Sequence, residues 1–386
     1  MEETMNAEWK KLKQAKRVIV KVGSNTLTHE TGNLNLTRME LLVREMVNIK
    51  NQGREVIFVS SGAVAAGIGR LGLRERPKEI SARQALAAIG QGLLMHTYEK
   101  FFGEYGITVA QVLLTMDDFA DRARYLNART TIRQILSYNA VPIINENDTV
   151  AFDEIKVGEN DILSAMMAGL ADADLLVLLS DVDGLYTANP KADPQARQIP
   201  VVEHITPEIE ALAGGAGSML GSGGMKTKIA AARVAVSQGI PVVLTNGSRR
   251  ECLRFLSDDD GHDEGAEKRA TLFLPRSQAM GSRKGWLAFS TRPAGRVYVD
   301  AGAAKALIEK GRSLLASGIL RVEGGFSRGE IVEIREGDTA IARGIINYGA
   351  GDLELIKGKS SGDFEAILGP GHDQEVVHRD NMSMWM

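Results

Sequence analysis

A mainly parallel, open α/β sheet sandwiched by helices, followed by a small β-rich domain, is the fold this sequence predicts. Two observations carry that reading. From residue 17, short Val/Ile/Leu-rich runs alternate with segments of helical periodicity, as expected of parallel strands buried on both faces. Near residue 257 the texture changes, first to an acidic stretch and a linker and then, from about 294, to closely spaced short strands punctuated by glycine, which suits a small barrel.

The elements come in this order. RVIVKVG is a β-branched run ended by Gly23. Residues 37–52 carry Met39, Leu42, Val43, Met46 and Ile49 at helical spacing, with Gly53 placed to end the helix. EVIFVSSG is the second strand, residues 81–105 a helix, ITVAQVLLT a strand, residues 121–138 a helix, and VPIIN a strand. Residues 161–170 read as a helix before the strand DLLVLLS, and 226–238 as a helix before IPVVLT. In the second domain GRVYVDAG, GILRVEGGFSRGEIVEIRE and TAIARGIINYGAGDLELIKG supply strands, with one helix at 301–310. The expected division is a polar N-terminal extension (1–16), an α/β domain (17–275), a linker (276–293), the β-rich domain (294–372) and a tail (373–386). DDDGHDEGAEK, starting at Asp258, reads as a solvated acidic loop.

Composition removes several function classes. A net charge of −3 argues against nucleic acid or an anionic membrane as the main partner. The single cysteine, Cys252, cannot form an intrachain disulfide, which points to a reducing cytoplasm. No apolar run approaches the ~18 residues of a membrane span, and the polar, lysine-rich start does not read as a signal peptide. The six histidines and one cysteine lack metal-ligand spacing, and no G-x-S-x-G elbow is present. GIGRLG, Gly67 to Gly72, fits a dinucleotide pattern. It starts too far beyond the preceding strand, however, and no acidic residue closes a second strand about twenty residues on.

Ligands of open α/β sheets bind beyond the carboxyl ends of the strands. Four such ends here are polar or glycine-bearing: Lys21-Val22-Gly23-Ser24, Ser60-Ser61-Gly62-Ala63, Asn145-Glu146-Asn147-Asp148 and Ser180-Asp181-Val182-Asp183-Gly184. Lys21 offers a point charge for phosphate, and Gly23 lets backbone amides approach an anion. Ser61 and Gly62 lead into a helix whose first amides suit a carboxylate or phosphate. Asn147, Asp148, Asn160 and Asp161 suit an amino acid, carboxylate to its ammonium and amides to its carboxylates, and Asn160 or Asp161 also suits a helix cap. GSGGMKTK, Gly221 to Lys228, resembles a P-loop but misses its spacing, with Leu220 and Met225 where glycines are required. Each run alone has a simpler reading, as a surface lysine, close helix packing, a cap or a turn. Together they mark one side of one sheet.

The ordered set VIVKVGSNTLT, VSSGAVAAG, QVLLT, NAR, INEND, KVGEND, SDVDGLYTANP and GSGGMKTK resembles the glutamate 5-kinase branch of the amino-acid kinase family. VDAGAAKALIEKGRSLLASGILRVEGGFSRGE looks like the PUA domain that many of its members carry, so the likeness spans about residues 17–380. The resemblance implies an amino-acid kinase fold with a PUA pseudo-barrel, and attack by the γ-carboxylate of glutamate on MgATP in the first committed step of proline synthesis. It implies catalytic roles for Lys21, Lys228 and Asp161, with Asp161 holding the two lysines. It also implies glutamate contacts at Ser61, Asp148 and Asn160, to which the amide of Asn147 in the same run adds a candidate. The matching ATP segments are Lys21, Gly23, Ser180, Asp181 and the run Ser222, Gly223, Gly224, Met225, Lys226, Thr227 and Lys228. Ser180 and Ser222 stand where many relatives carry threonine, keeping the hydroxyl. Ala270-Thr271-Leu272-Phe273 replaces a usual Gly-Thr-Leu-Phe, a departure expected to touch the domain edge and not the chemistry. No protein-bound metal is expected, Mg²⁺ arriving with ATP. A homo-oligomer (dimer or tetramer) and functional coupling to glutamyl-phosphate reductase complete the expectations.

Aspartate and acetylglutamate kinases are the neighbouring alternatives within the enzyme class. RNA binding through the second domain is the alternative outside it. Arg296, Lys305, Lys310, Arg312, Arg321 and Arg328 favour it, but Asp300, Glu309, Glu323 and Glu330 interleave them and few aromatics are available to stack bases. RNA is therefore not an expected partner.

Overall fold

The structure, a computed structural model, describes residues 2–151, 159–190, 193–213, 224–257, 269–275, 293–369 and 371–384. The chain divides into two compact units, Met1–Asp118 with Ala123–Ala279, and Phe119–Arg122 with Met280–Met386.

The first unit is built on an eight-stranded sheet: β1 (Arg17–Val22), β2 (Glu55–Val59), β3 (Val109–Leu114), β4 (Val141–Glu146), β5 (Leu175–Ser180), β6 (Val201–Val202), β7 (Val242–Asn246) and β8 (Ala270–Phe273). Their spatial order is β3-β4-β2-β1-β5-β7-β8-β6, and every neighbouring pair is parallel except β7 with β8. The strands β1, β2, β4 and β5 are buried almost throughout, which is why their sequences are apolar runs and not alternations. Register puts Lys21 level with Val59 and Leu178, and Val59 level with Ile144. The loops leaving β1, β2, β4 and β5 consequently open on one edge.

The described helices that matter for that edge are α2 (Leu36–Asn51), α3 (Ala63–Leu71), α4 (Ile80–Gly103), α5 (Arg122–Ser137), α6 (Glu159–Leu170) and α7 (Gly224–Ser237). Asn35 caps α2 by accepting from the Arg38 amide at 3.0 Å, and Met39, Leu42, Val43, Met46 and Ile49 form its buried stripe. GIGRLG lies in α3 and its end, not in a dinucleotide turn, and Gly72 closes the helix in the left-handed region at φ 66°. Its glycines serve packing instead. A Cβ on Gly67 would lie 2.1 Å from the Leu86 carbonyl oxygen, and one on Gly90 would lie 1.8 Å from that of Ala63. The backbones of α3 and α4 are therefore in contact, and only glycine permits that.

The segment 1–16, expected as a polar extension, instead contains α1 (Glu2–Leu12). Trp9 and Leu12 share one helical face, and both are buried in the core, with Trp9 edge-on to Phe255 at 5.7 Å. A single apolar face this short is masked in sequence by the lysines around it.

The second unit carries a five-stranded sheet of β9 (Gly295–Val299), β10 (Ile319–Glu323), β11 (Ile331–Glu336), β12 (Thr339–Ile345) and β13 (Met382–Met384), ordered β10-β9-β11-β12-β13. Its longest helix among the described residues, α8 (Ala301–Lys310), is capped by Asp300, which accepts from the Ala303 amide, and ends at left-handed Gly311. Val297, Val299, Leu307, Val332 and Ile334 lie in its core. The expected acidic loop, and the expected linker up to residue 292, lie outside the described residues. No helix among the described residues is long and apolar enough to cross a membrane.

Candidate active site

The strand ends converge on a cavity of about 870 Å³. It is lined by Lys21, Gly23, Ser61, Gly62, Asn145, Asp148, Asn160, Asp161, Ser180, Asp181, Gly224, Thr227 and Lys228, among others. Of the residues singled out in sequence, Asn147, Met225 and Lys226 do not line it. Asn147 accepts from Thr149 Oγ1 at 2.6 Å, and Lys226 is exposed. Ser222 and Gly223 lie outside the described residues.

At the centre is a buried charge triad. Asp161 Oδ1 meets Lys21 Nζ at 2.5 Å, and Asp161 Oδ2 meets Lys228 Nζ at 3.3 Å. Thr227 Oγ1 donates to the same Oδ2 at 2.7 Å, and Lys228 Nζ also donates to the Gly224 carbonyl at 3.0 Å. Lys21 is 3% exposed and Asp161 1%, so neither charge is solvated by bulk water. Burial alone would raise the Asp161 pKa, but Lys21 and Lys228, with hydrogen bonds from Lys21 and Thr227, hold it below the ordinary carboxylate range. Burial pushes Lys21 down; Asp161 opposes that and Lys228 adds to it. Two ammonium groups against one carboxylate leave one net positive charge facing the cavity. Such a cradle attracts a polyanion.

Local sequence explains the convergence. Lys21 is the fifth residue of a six-residue buried strand, so only its head can reach the edge. Asp161 stands in the first turn of α6, and Thr227 and Lys228 in the first turns of α7. Lys228, not Lys226, points to the cavity, two residues beyond the lysine a P-loop spacing selects.

In the same lining Asn160 Nδ2 donates to Ser61 Oγ at 3.1 Å and to Asn145 Oδ1 at 3.0 Å, while Asn160 Oδ1 is buried without a hydrogen-bond partner. Ser61 precedes Gly62, which caps α3 at φ 99° with no side-chain hydrogen bond to the helix. The first amides of α3 are thus open to an anion. This cluster offers both hydrogen-bond donors and acceptors.

The Ser180–Asp181 loop is braced from a strand that sequence reading placed at a domain edge. β8 lies inside the sheet, between β7 and β6. Thr271 Oγ1 accepts from the Leu185 amide at 2.7 Å and donates to the Ile199 carbonyl at 2.6 Å. Gly184, at φ 133°, has no room for a Cβ, which would sit 2.6 Å from Thr271 Oγ1. Arg249 pairs with Asp183 in the same turn.

The sequence matches the amino acid kinase family over residues 16–246 and the PUA domain over residues 295–368. It is 53% identical over 372 residues to the glutamate 5-kinase of Moorella thermoacetica, covering 96% of this chain and 97% of that one. The chain belongs to the glutamate 5-kinases of the amino acid kinase family. Glutamate 5-kinases of Carboxydothermus hydrogenoformans (50% identity, 96% of this chain and 98% of that one) and Thermoanaerobacter pseudethanolicus (48%, 95% and 97%) are similarly close. Two residues of this glutamate 5-kinase escaped sequence reading as functional residues, Asn145, which lines the cavity, and Thr271, which braces the loop after β5 without lining it. Asn145 sat inside a quoted strand end without a distinguishing signal, and Thr271 acts through a hydroxyl that only the folded sheet brings to the loop.

Proposed function

We propose that the chain transfers the γ-phosphoryl group of ATP to the γ-carboxylate of L-glutamate, giving γ-glutamyl phosphate and ADP in the first step of proline biosynthesis. The observation that carries this reading is that the Lys21–Asp161–Lys228 triad and the Ser61–Asn145–Asn160 cluster line one cavity. A glutamate carboxylate is already ionised at neutral pH, so no general base is required. The barrier is electrostatic: two like unit charges ~4 Å apart repel by about 4 kcal/mol at an effective dielectric near 20. Lys21 and Lys228 offset that repulsion where it peaks, and Asp161 fixes both in place without reorganisation.

On this reading Gly23 and Gly224 let backbone amides approach the phosphates, and Ser180-Asp181 line the nucleotide side. Ser61, Asp148 and Asn160 hold glutamate, with Asp148 and Asn160 Oδ1 taking its ammonium. Mg²⁺ favours hard oxygen ligands and would be carried in on the triphosphate's own oxygens, with Asp181 on the nucleotide side of the cavity within the same lining. When bound, it neutralises charge on the transferred group. We further propose a cytoplasmic homo-oligomer, a kinase domain over 17–275 and a PUA domain over 294–372. The product is a labile mixed anhydride, which suits hand-over to a glutamyl-phosphate reductase.

Asp148→Ala and Asn160→Ala are expected to raise the KM for glutamate about tenfold while leaving that for ATP within about twofold, since each removes one polar contact. Initial rates with each substrate varied in turn check this, and an unchanged glutamate KM removes these residues from the site.

A further inference from the structure

We propose that Gln91, on α4 and outside the cavity, is a positioning residue that satisfies the buried Asn145 amide and so holds in place the hydrogen-bond polarity that the Glu146 N–H imposes on the amino-acid site. This role rests on the site being a glutamate site and extends it to a residue that touches no substrate. One group in the chain of contacts has a polarity that cannot change. The Glu146 backbone N–H can only donate, and it lies 2.9 Å from one side-chain atom of Asn145, which must therefore be Oδ1. The other end of that amide, Nδ2, then faces Gln91 at 2.8 Å, and the Gln91 atom there must be the acceptor Oε1. Asn145 Oδ1 also faces Asn160, so the Asn160 atom 3.0 Å away must be the donor Nδ2.

The consequences reach the cavity. Asn160 Nδ2 is spent on Asn145 and on Ser61 Oγ, so Ser61, having accepted, keeps its own proton to donate. Asn160 Oδ1 is left buried without a partner, an acceptor waiting for a donor. The site thereby presents a hydroxyl donor and an amide acceptor side by side. That order matches a substrate with a carboxylate next to an ammonium and opposes the reverse. Asn145 is only 2% exposed, so leaving Nδ2 without the Gln91 acceptor is costly. Gln91 reaches it because Gly90 brings α4 onto the start of α3, where a Cβ would strike the Ala63 carbonyl.

The test separates polarity from packing. Gln91→Met keeps the length and volume but loses the acceptor. It should raise the KM for glutamate about tenfold, with the KM for ATP unchanged and kcat within about twofold. Gln91→Glu keeps an acceptor oxygen at the same reach and should restore a glutamate KM within about twofold of the parent. Gln91→Lys, donor-only at similar reach, should be at least as impaired as the methionine variant, and it carries the test should that variant not fold. A Gln91→Met or Gln91→Lys protein with an unchanged glutamate KM overturns the proposal, as does a Gln91→Glu protein as impaired as the others. Asn160→Ala measured alongside distinguishes the two levels. If it leaves the glutamate KM unchanged, the site reading falls and the role of Gln91 with it. If it raises the KM while Gln91→Met does not, the role of Gln91 alone falls.

Discussion

Lys228→Ala yields a folded protein whose phosphoryl transfer falls by about 10³-fold or more, with its melting temperature close to that of the parent. The stability half of this expectation comes from the charge count. Without Lys228, Asp161 still pairs with Lys21 at 2.5 Å and still accepts from Thr227, so no buried charge is left alone. The activity half comes from the same count read at the cavity. The net positive charge of the triad disappears, and with it the attraction that brings a carboxylate onto a triphosphate. Losing one positioned group of this kind costs about 10²–10³ in kcat, and losing an arginine that stabilises phosphoryl transfer costs ~10³–10⁵. Lys226→Ala is the internal contrast, since its side chain is exposed and does not line the cavity. Turnover by coupled ADP release, with thermal unfolding in parallel, checks both halves. Near-native turnover of the Lys228 variant removes that lysine from the mechanism.

Asp161→Asn has a different signature, in which activity and stability fall together. The substitution is nearly isosteric but leaves Lys21, 3% exposed, and Lys228 facing each other without a counter-charge. Breaking a buried pair from one side costs about 3–5 kcal/mol. In a domain of this size that lowers the melting temperature by on the order of 10 °C. Activity should drop by at least about 10²-fold, because the two ammonium groups repel and no longer share one position. A triphosphate supplies the missing negative charge, so ATP should raise the melting temperature of the variant by more than it raises that of the parent. An Asp161→Asn protein as stable and as active as its parent is incompatible with a buried Lys21–Asp161–Lys228 triad.

Most of the α/β sheet and the outline of the cavity can be read in the sequence, and for definable reasons. β1, β2, β4 and β5 are buried on both faces, which forces runs such as VIVKV and DLLVLLS that no other element demands. Parallel pairing then puts their carboxyl ends on one edge, so the residues just beyond each strand make up most of the cavity wall. Lys228 is separable from Lys226 in sequence only through the likeness to the family, because composition alone favours neither.

The hidden features depend on contacts between distant residues. Trp9 looks like an isolated aromatic in a lysine-rich segment until Phe255 comes to meet it. Thr271 sits in a four-residue strand whose neighbours in space are the Leu185 amide and the Ile199 carbonyl. Gln91 is one polar residue in a helix that is apolar on most sides, and its partner lies 54 residues away. An amide carries no periodic signal. Its meaning appears only once Gly90 has let two helices touch.

One cavity, in this view, reads glutamate through one cluster of side chains and activates its γ-carboxylate toward ATP through the other. The most direct check incubates the purified full chain with ATP and Mg²⁺ and, separately, glutamate, aspartate, acetylglutamate or uridylate, following ADP release and trapping acyl phosphate with hydroxylamine. Hydroxamate and matching ADP release are expected with glutamate, and at most a small fraction of that rate with the other three. Faster turnover of aspartate, acetylglutamate or uridylate than of glutamate would show that the cluster of Ser61, Asn145 and Asn160 does not read glutamate.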